Sequence, residues 1–150
     1  MTKNERQEMT AQSMVERFHR LFDIRVQDQP GPIDERTRVL RERLIQEEFD
    51  ELKQAMAQDD LPAVAKELAD LLYVVYGTAV SYGIDMGPVF REVHRSNMSK
   101  IGGYKREDGK WVKPPSYSPA AIAPILALQQ SQMERVIESS DSSQEVERRA

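Results

Sequence analysis

The run Leu68 to Val80, LADLLYVVYGTAV, is apolar on almost every side of a helix and carries one charge, Asp70. A helix that is apolar all round reads as buried, and a carboxylate taken out of water costs several kcal/mol unless something offsets it. Asp70 has company. Glu67 lies three residues before it, and Glu48 and Glu51 lie three apart in the helical segment Arg36 to Gln58. At about 100° per residue, Glu48 stacks between Leu44 and Leu52, and Glu51 shares a face with Leu40, Leu44 and Ala55. Four acids thus stand where apolar residues are due, and the fold must bring them to a compensating charge.

Glu48 to Glu67 and Glu51 to Asp70 are both intervals of nineteen residues. We read the two pairs as facing one another across an antiparallel helical hairpin that turns near Asp59 to Leu61. With Glu47, at i,i+4 from Glu51, four or five carboxylates share one small volume. Like charges so close raise one another's pKa, and a divalent cation reverses that interaction. Mg²⁺, with Mn²⁺ as a substitute, suits an all-oxygen donor set. An exposed, salt-bridged face is the bland alternative. It stays open for Glu47, at the edge of the stripe, and is disfavoured for Glu48 and Asp70, whose neighbours are leucines. Glu42 and Asp50 lie off the stripe and read as solvated. A carboxylate di-iron bundle needs two Glu-x-x-His motifs, and only Glu16-Arg-Phe-His19 fits.

The 150 residues suit one domain, or a protomer whose core a partner completes. Twenty-one Lys+Arg against 25 Asp+Glu leave a net charge of −4, which favours neither duplex nucleic acid nor an anionic membrane as partner. The N-terminal stretch resembles no signal peptide and no apolar run is long enough to span a bilayer, so the expected setting is cytoplasmic. The absence of cysteine excludes disulfides and thiolate metal sites.

Helical periodicity runs from Thr10 to Arg25 through Met14, Phe18, Leu21 and Phe22, and Gln29-Pro30-Gly31-Pro32 breaks it. Asp34 is the expected N-cap of the second helix and Asp60 of the third, with Pro62 just inside and Gly83 as its stop. Gly87-Pro88 begins a fourth helix that ends at Gly102-Gly103. Between Tyr104 and Tyr117, Asp108-Gly109 signals a two-residue hairpin turn with short polar arms, a basic flap rather than a sheet. A fifth helix runs from Ser118-Pro119 to about Glu138, with Pro124 able to reset its start. The expected architecture is an all-α antiparallel bundle over residues 1–138, followed by a disordered tail over 139–150. The third helix carries Tyr73, Val74, Val80, Ala63 and Gly77 beyond its stripe of Leu68, Leu72, Val75 and Ala79. One hairpin cannot cover all of that, so a homodimer or a dimer of dimers is expected.

Cations for an anionic substrate occur at Arg91, Arg95, Lys100, and in the flap at Lys105, Arg106, Lys110 and Lys113; for Arg91 and Arg95, complementing the helix dipole is an equal reading. A base pocket needs aromatic faces and directed polar groups. Phe18, His19 and Phe22 on the first helix are candidates, with Tyr73, Tyr76 and Trp111. Phe22 and Tyr76 read as plain core, whereas His19 admits both a core and a substrate-contact role.

Glu47-Glu48-Phe49-Asp50-Glu51 followed by Glu67-Leu68-Ala69-Asp70 resembles the EExxE…ExxD signature of the all-α nucleoside triphosphate pyrophosphohydrolases, the MazG-like superfamily, and the resemblance extends over about Met14 to Leu126. Within it, the chain is similar to a small MazG-like group related to phosphoribosyl-ATP pyrophosphohydrolase, one member of which is a dUTP pyrophosphatase. The resemblance implies Mg²⁺-dependent cleavage between the α- and β-phosphates, giving a nucleoside monophosphate and pyrophosphate. It implies Glu48, Glu51, Glu67 and Asp70 as metal ligands, Glu47 as the residue that orients or deprotonates the attacking water, and Ser96 to Lys100 as a nucleotide-contacting segment with Asn97 and Lys100 foremost. It implies dUTP as substrate. A phosphoribosyl-ATP pyrophosphatase and a non-enzymatic helical metal-binding or interaction module are the alternatives.

Overall fold

The computed structural model describes residues 9–132. They divide, between Ile84 and Asp85, into two compact units. The 139–150 tail and the fifth helix beyond residue 132 lie outside the described residues.

The first unit holds α1 (Ala11–Leu21), α2 (Glu35–Ala57) and α3 (Leu61–Tyr82). Each helix starts where a side chain satisfies an orphan backbone donor: Thr10 accepts from the Ser13 amide, Asp34 from Thr37 and Asp60 from Ala63, with Pro62 in the first turn of α3. Helix α1 is shorter than its periodicity suggests. Its last residue is Leu21, because Asp23 takes a left-handed φ of 54° and the Ile24 amide turns back to the His19 carbonyl at 2.8 Å. Asp59, at φ 53°, reverses the chain between α2 and α3.

Gly83 closes α3 at φ 71°, and only glycine fits there. A Cβ would lie 2.2 Å from the Gln29 carbonyl oxygen, because the 27–31 segment hugs the end of α3: Gln27 donates its amide to Val80 and Gly31 to Tyr82, both at 3.1 Å. That segment and the packing of α2 and α1 on α3 form the core, whose buried apolar members are Val15, Leu52, Ala55, Ala79 and Val80.

Among the described residues, Leu68 to Val80 is not buried all round. Leu68, Leu72, Tyr73 and Val75 are exposed, and burial is confined to Glu67, Gly77, Ala79, Val80 and Ser81. Two neighbouring helices cover one side of α3 and leave the other open. Among the described residues no helix is long and apolar enough to cross a membrane.

The second unit holds α4 (Met86–Met98), a hairpin of β1 (Tyr104–Lys105) and β2 (Trp111–Val112), and a fifth helix, α5, over 122–132. Asp85 caps α4 by accepting from the Gly87 amide at 2.9 Å, so the helix begins before Gly87-Pro88 rather than at it. The hairpin pairs Tyr104 with Val112 and Lys105 with Trp111, but its turn is not the two-residue form that Asp108-Gly109 suggests. That form needs positive φ at both central residues, and only Gly109, at 84°, has it. The chain instead turns over Arg106 to Lys110, the Gly109 amide donating to the Arg106 carbonyl and Arg106 to Lys110. Helix α5 starts at residue 122 rather than Ser118, which sets Pro124 in its first turn, where a missing amide costs nothing.

Candidate active site

Helices α2 and α3 run antiparallel from a turn at Asp59, so residues equidistant from it face one another. Glu48 and Asp70 are each eleven residues away, and Arg41 and Gly77 eighteen. Glu51 and Glu67 are each eight residues away, so the two pairs read from sequence do face one another, with the shared midpoint rather than the equal interval setting which members lie opposite. One oxygen each of Glu48, Glu67 and Asp70 lies within 4.8 Å of the others. Glu67 is buried, and Glu48 and Asp70 are half-buried.

The electrostatics are those of crowded like charges. Burial, then Asp70, Glu51 and Glu67, push the Glu48 carboxyl above its usual range. Glu67 Oε2 is buried and has no hydrogen-bond partner, although such groups are ordinarily satisfied. Its other oxygen accepts from Lys66 Nζ at 3.0 Å, and the same ammonium donates to Asp70 Oδ2 at 2.7 Å. Those two carboxylates raise the lysine's pKa, Asp70 foremost. Three converging carboxylates, one with a vacant buried lone pair, fit a hard divalent cation.

The other two acids of the signature stand outside this triangle. Glu51 is exposed rather than inward, and it is felt through its charge on Glu48. Glu47 is exposed too, with Arg43 Nε 3.6 Å from its Oε1. It occupies the edge of the stripe, next in sequence to Glu48.

Two turns along α2 from Glu48, Arg41 is buried at 6 % exposure against His19 at 2 %. His19 Nδ1 donates to the Arg25 carbonyl at 2.9 Å, which leaves Nε2 as acceptor for Arg41 Nη1 at 3.2 Å. Burial, opposed by the bond to Arg25 and aided by the Arg41 charge, lowers the pKa of His19, so the ring is neutral. Both nitrogens are therefore engaged within the chain. Beside them Phe18 stacks on Phe22 at 4.4 Å between centroids and meets Tyr73 edge-on at 5.6 Å, and Phe22 is exposed rather than plain core.

The remaining candidates belong to the second unit. Lys100 Nζ donates to Asn97 Oδ1 at 2.6 Å, and both lie at the end of α4. Arg95 bonds both oxygens of Glu92 at 2.8 Å, Ser118 Oγ at 3.1 Å and the Pro119 carbonyl at 3.0 Å. Lys113 lies over the Tyr117 ring, 4.1 Å from its centroid.

Sequence reasoning missed Lys66 and Arg41. Lys66 was visible as a lysine adjacent to Glu67 and at i,i+4 to Asp70. Arg41 falls seven residues before Glu48, hence on the same stripe, where a charge is as conspicuous as the acids.

Fold and site together define a class: an all-α protein whose two-helix hairpin gathers carboxylates that could hold a divalent cation. The model of the phosphoribosyl-ATP pyrophosphohydrolase family (PRA-PH) matches residues 15–97, more than half of the chain and all three converging acids, and the protein belongs to that family. Its activity is accordingly of the pyrophosphohydrolase type. No curated protein matches the chain significantly.

Proposed function

We propose that the protein hydrolyses the bond between the α- and β-phosphates of a nucleoside triphosphate, with Mg²⁺ as cofactor and Mn²⁺ as a substitute. The observation that carries this reading is the convergence of Glu48, Glu67 and Asp70 within 4.8 Å, with Glu67 Oε2 buried and unpartnered. These three, with Glu51 beside them, would hold the cation, which when bound neutralises phosphate oxygens and acidifies water.

The chain's own contribution is positioning. Glu67 anchors the site because α3 buries it, whereas half-buried Asp70 and Glu48 keep access to an incoming phosphate. Glu47, exposed beside Glu48 with Arg43 Nε 3.6 Å from its Oε1, accepts the proton of the attacking water. Asn97 and Lys100, with Arg95 and Lys113, are assigned to the nucleotide. Phe18 offers a face to the base, and His19 fixes that face in place.

The resemblance supports dUTP as substrate; the family match favours phosphoribosyl-ATP as the second reading. Choosing dUTP over dTTP needs a pocket tight at uracil C5, and over UTP a wall at the ribose 2′ position, since apolar fit alone discriminates by only about 1 to 3 kcal/mol. Pyrophosphate release from dUTP, dTTP, dCTP, UTP and phosphoribosyl-ATP, each with Mg²⁺ and with EDTA, tests both. Cleavage of dCTP or UTP ten times faster than dUTP would sink the dUTP choice, and no release from any substrate would sink the hydrolase reading.

A second copy of the chain is proposed to cover the exposed Leu68, Leu72, Tyr73 and Val75, giving a homodimer or a dimer of dimers in the cytoplasm. A monomeric mass by light scattering at micromolar concentration would overturn it.

A further inference from the structure

A lysine donating to two acids on an exposed helix face ordinarily contributes little. Lys66 differs in its choice of partners. Both carboxylates it bridges, Asp70 at 2.7 Å and Glu67 at 3.0 Å, belong to the trio that converges within 4.8 Å. Glu67 is buried and leaves Oε2 without a partner, while the lysine side chain itself is 65 % exposed. The ammonium therefore supplies one positive charge to three negative ones from a tether that is free to swing outward.

We propose that Lys66 is a built-in counter-ion of the site, holding Glu67 and Asp70 together without metal and yielding those oxygens when a divalent cation loads. This rests on the proposed metal-dependent reading. An ammonium and a divalent cation repel, so Lys66 weakens metal binding to the free protein. Once displaced, the same ammonium stands beside the site as a partner for phosphate oxygens, which a triphosphate supplies. Metal and nucleotide consequently reinforce one another's binding, reciprocally, and a metal–nucleotide complex is taken in preference to either component alone.

The test titrates Mn²⁺ calorimetrically into the full chain, with and without a non-hydrolysable nucleoside α,β-methylene triphosphate, for the wild type, Lys66→Met and Lys66→Arg. Removing a unit charge so near a divalent ion is worth on the order of tenfold in affinity. Lys66→Met should therefore bind Mn²⁺ about tenfold more tightly without nucleotide and lose most of the tightening that the nucleotide brings. Lys66→Arg should stay near wild type. Lys66→Ala, which should repeat the Met result, guards against an effect of side-chain bulk. Unchanged or weaker Mn²⁺ binding by Lys66→Met and Lys66→Ala, with the wild type binding normally, overturns the role of Lys66 alone. A wild type that binds no Mn²⁺ overturns the metal reading and this inference with it.

Discussion

Arg41 donates to Nε2 of His19 at 3.2 Å in the interior of the first unit, and among the described residues no carboxylate lies within ion-pairing distance of its guanidinium. Arg41 Nε has no partner at all. A buried cation is ordinarily paired; this one is held by a neutral ring and by the room that Gly77 leaves across the hairpin.

Gly77→Ala tests that room. In a helix interior alanine is favoured over glycine by up to about 1 kcal/mol. Here the new Cβ would fall 2.8 Å from Arg41 Nη1 and 2.9 Å from His19 Nε2. The pair would have to part, so we expect a net loss of about 1–3 kcal/mol in urea unfolding. A stabilised variant would show that Arg41 moves aside freely.

The same pair makes stability depend on pH. Burial lowers the pKa of His19 from 6.5, so below that value the unfolded chain binds a proton more readily than the folded one. The stability due to neutral His19 is thus fully present above pH 6.5 and is lost as pH falls from there through the folded value. Unfolding midpoints between pH 7.5 and 5 should fall in the wild type and fall less in His19→Gln; parallel curves would contradict the assignment.

Glu92 works at the opposite end of the scale. Hydrogen bonds from Arg95 first, and from the Ala121 amide, lower its carboxyl from 4.5 to about 2. Its contribution holds α4 to the segment before α5, is fully present above pH 4.5 and disappears as pH falls toward 2. Glu92→Gln should therefore lower the melting temperature at pH 6 and leave it near the wild-type value at pH 2, as read by circular dichroism.

At the acid cluster, Glu48→Gln, Glu67→Gln and Asp70→Asn should each reduce metal-dependent hydrolysis by at least about 100-fold while the helical spectrum is retained. Glu51→Gln should also reduce it, less steeply, because that carboxylate stands outside the triangle. Glu47→Ala should keep Mn²⁺ affinity within a small factor and lose rate. Calorimetry beside a pyrophosphate assay separates the two patterns; near wild-type turnover in any two of the three triangle variants would refute the ligand set.

Much of this protein is set by local chemistry and was legible in the chain. Asp34, Asp60 and Gly83 mark helix ends because capping and left-handed φ depend on the residue at the end and its nearest amides. The spacing of Glu48, Glu67 and Asp70 against leucines marks these acids as the candidates that converge, because helical periodicity is a local property. Tertiary structure decided which acids meet. The turn at Asp59 sets the midpoint of the hairpin, and that midpoint apposes Glu48 to Asp70 and Arg41 to Gly77; Glu51, although equidistant with Glu67, is exposed and stands outside the converging trio. It also decided that α3, apolar on nearly all sides in sequence, is covered on one side only. Periodicity says which residues share a face, whereas burial depends on how many neighbours arrive to cover it.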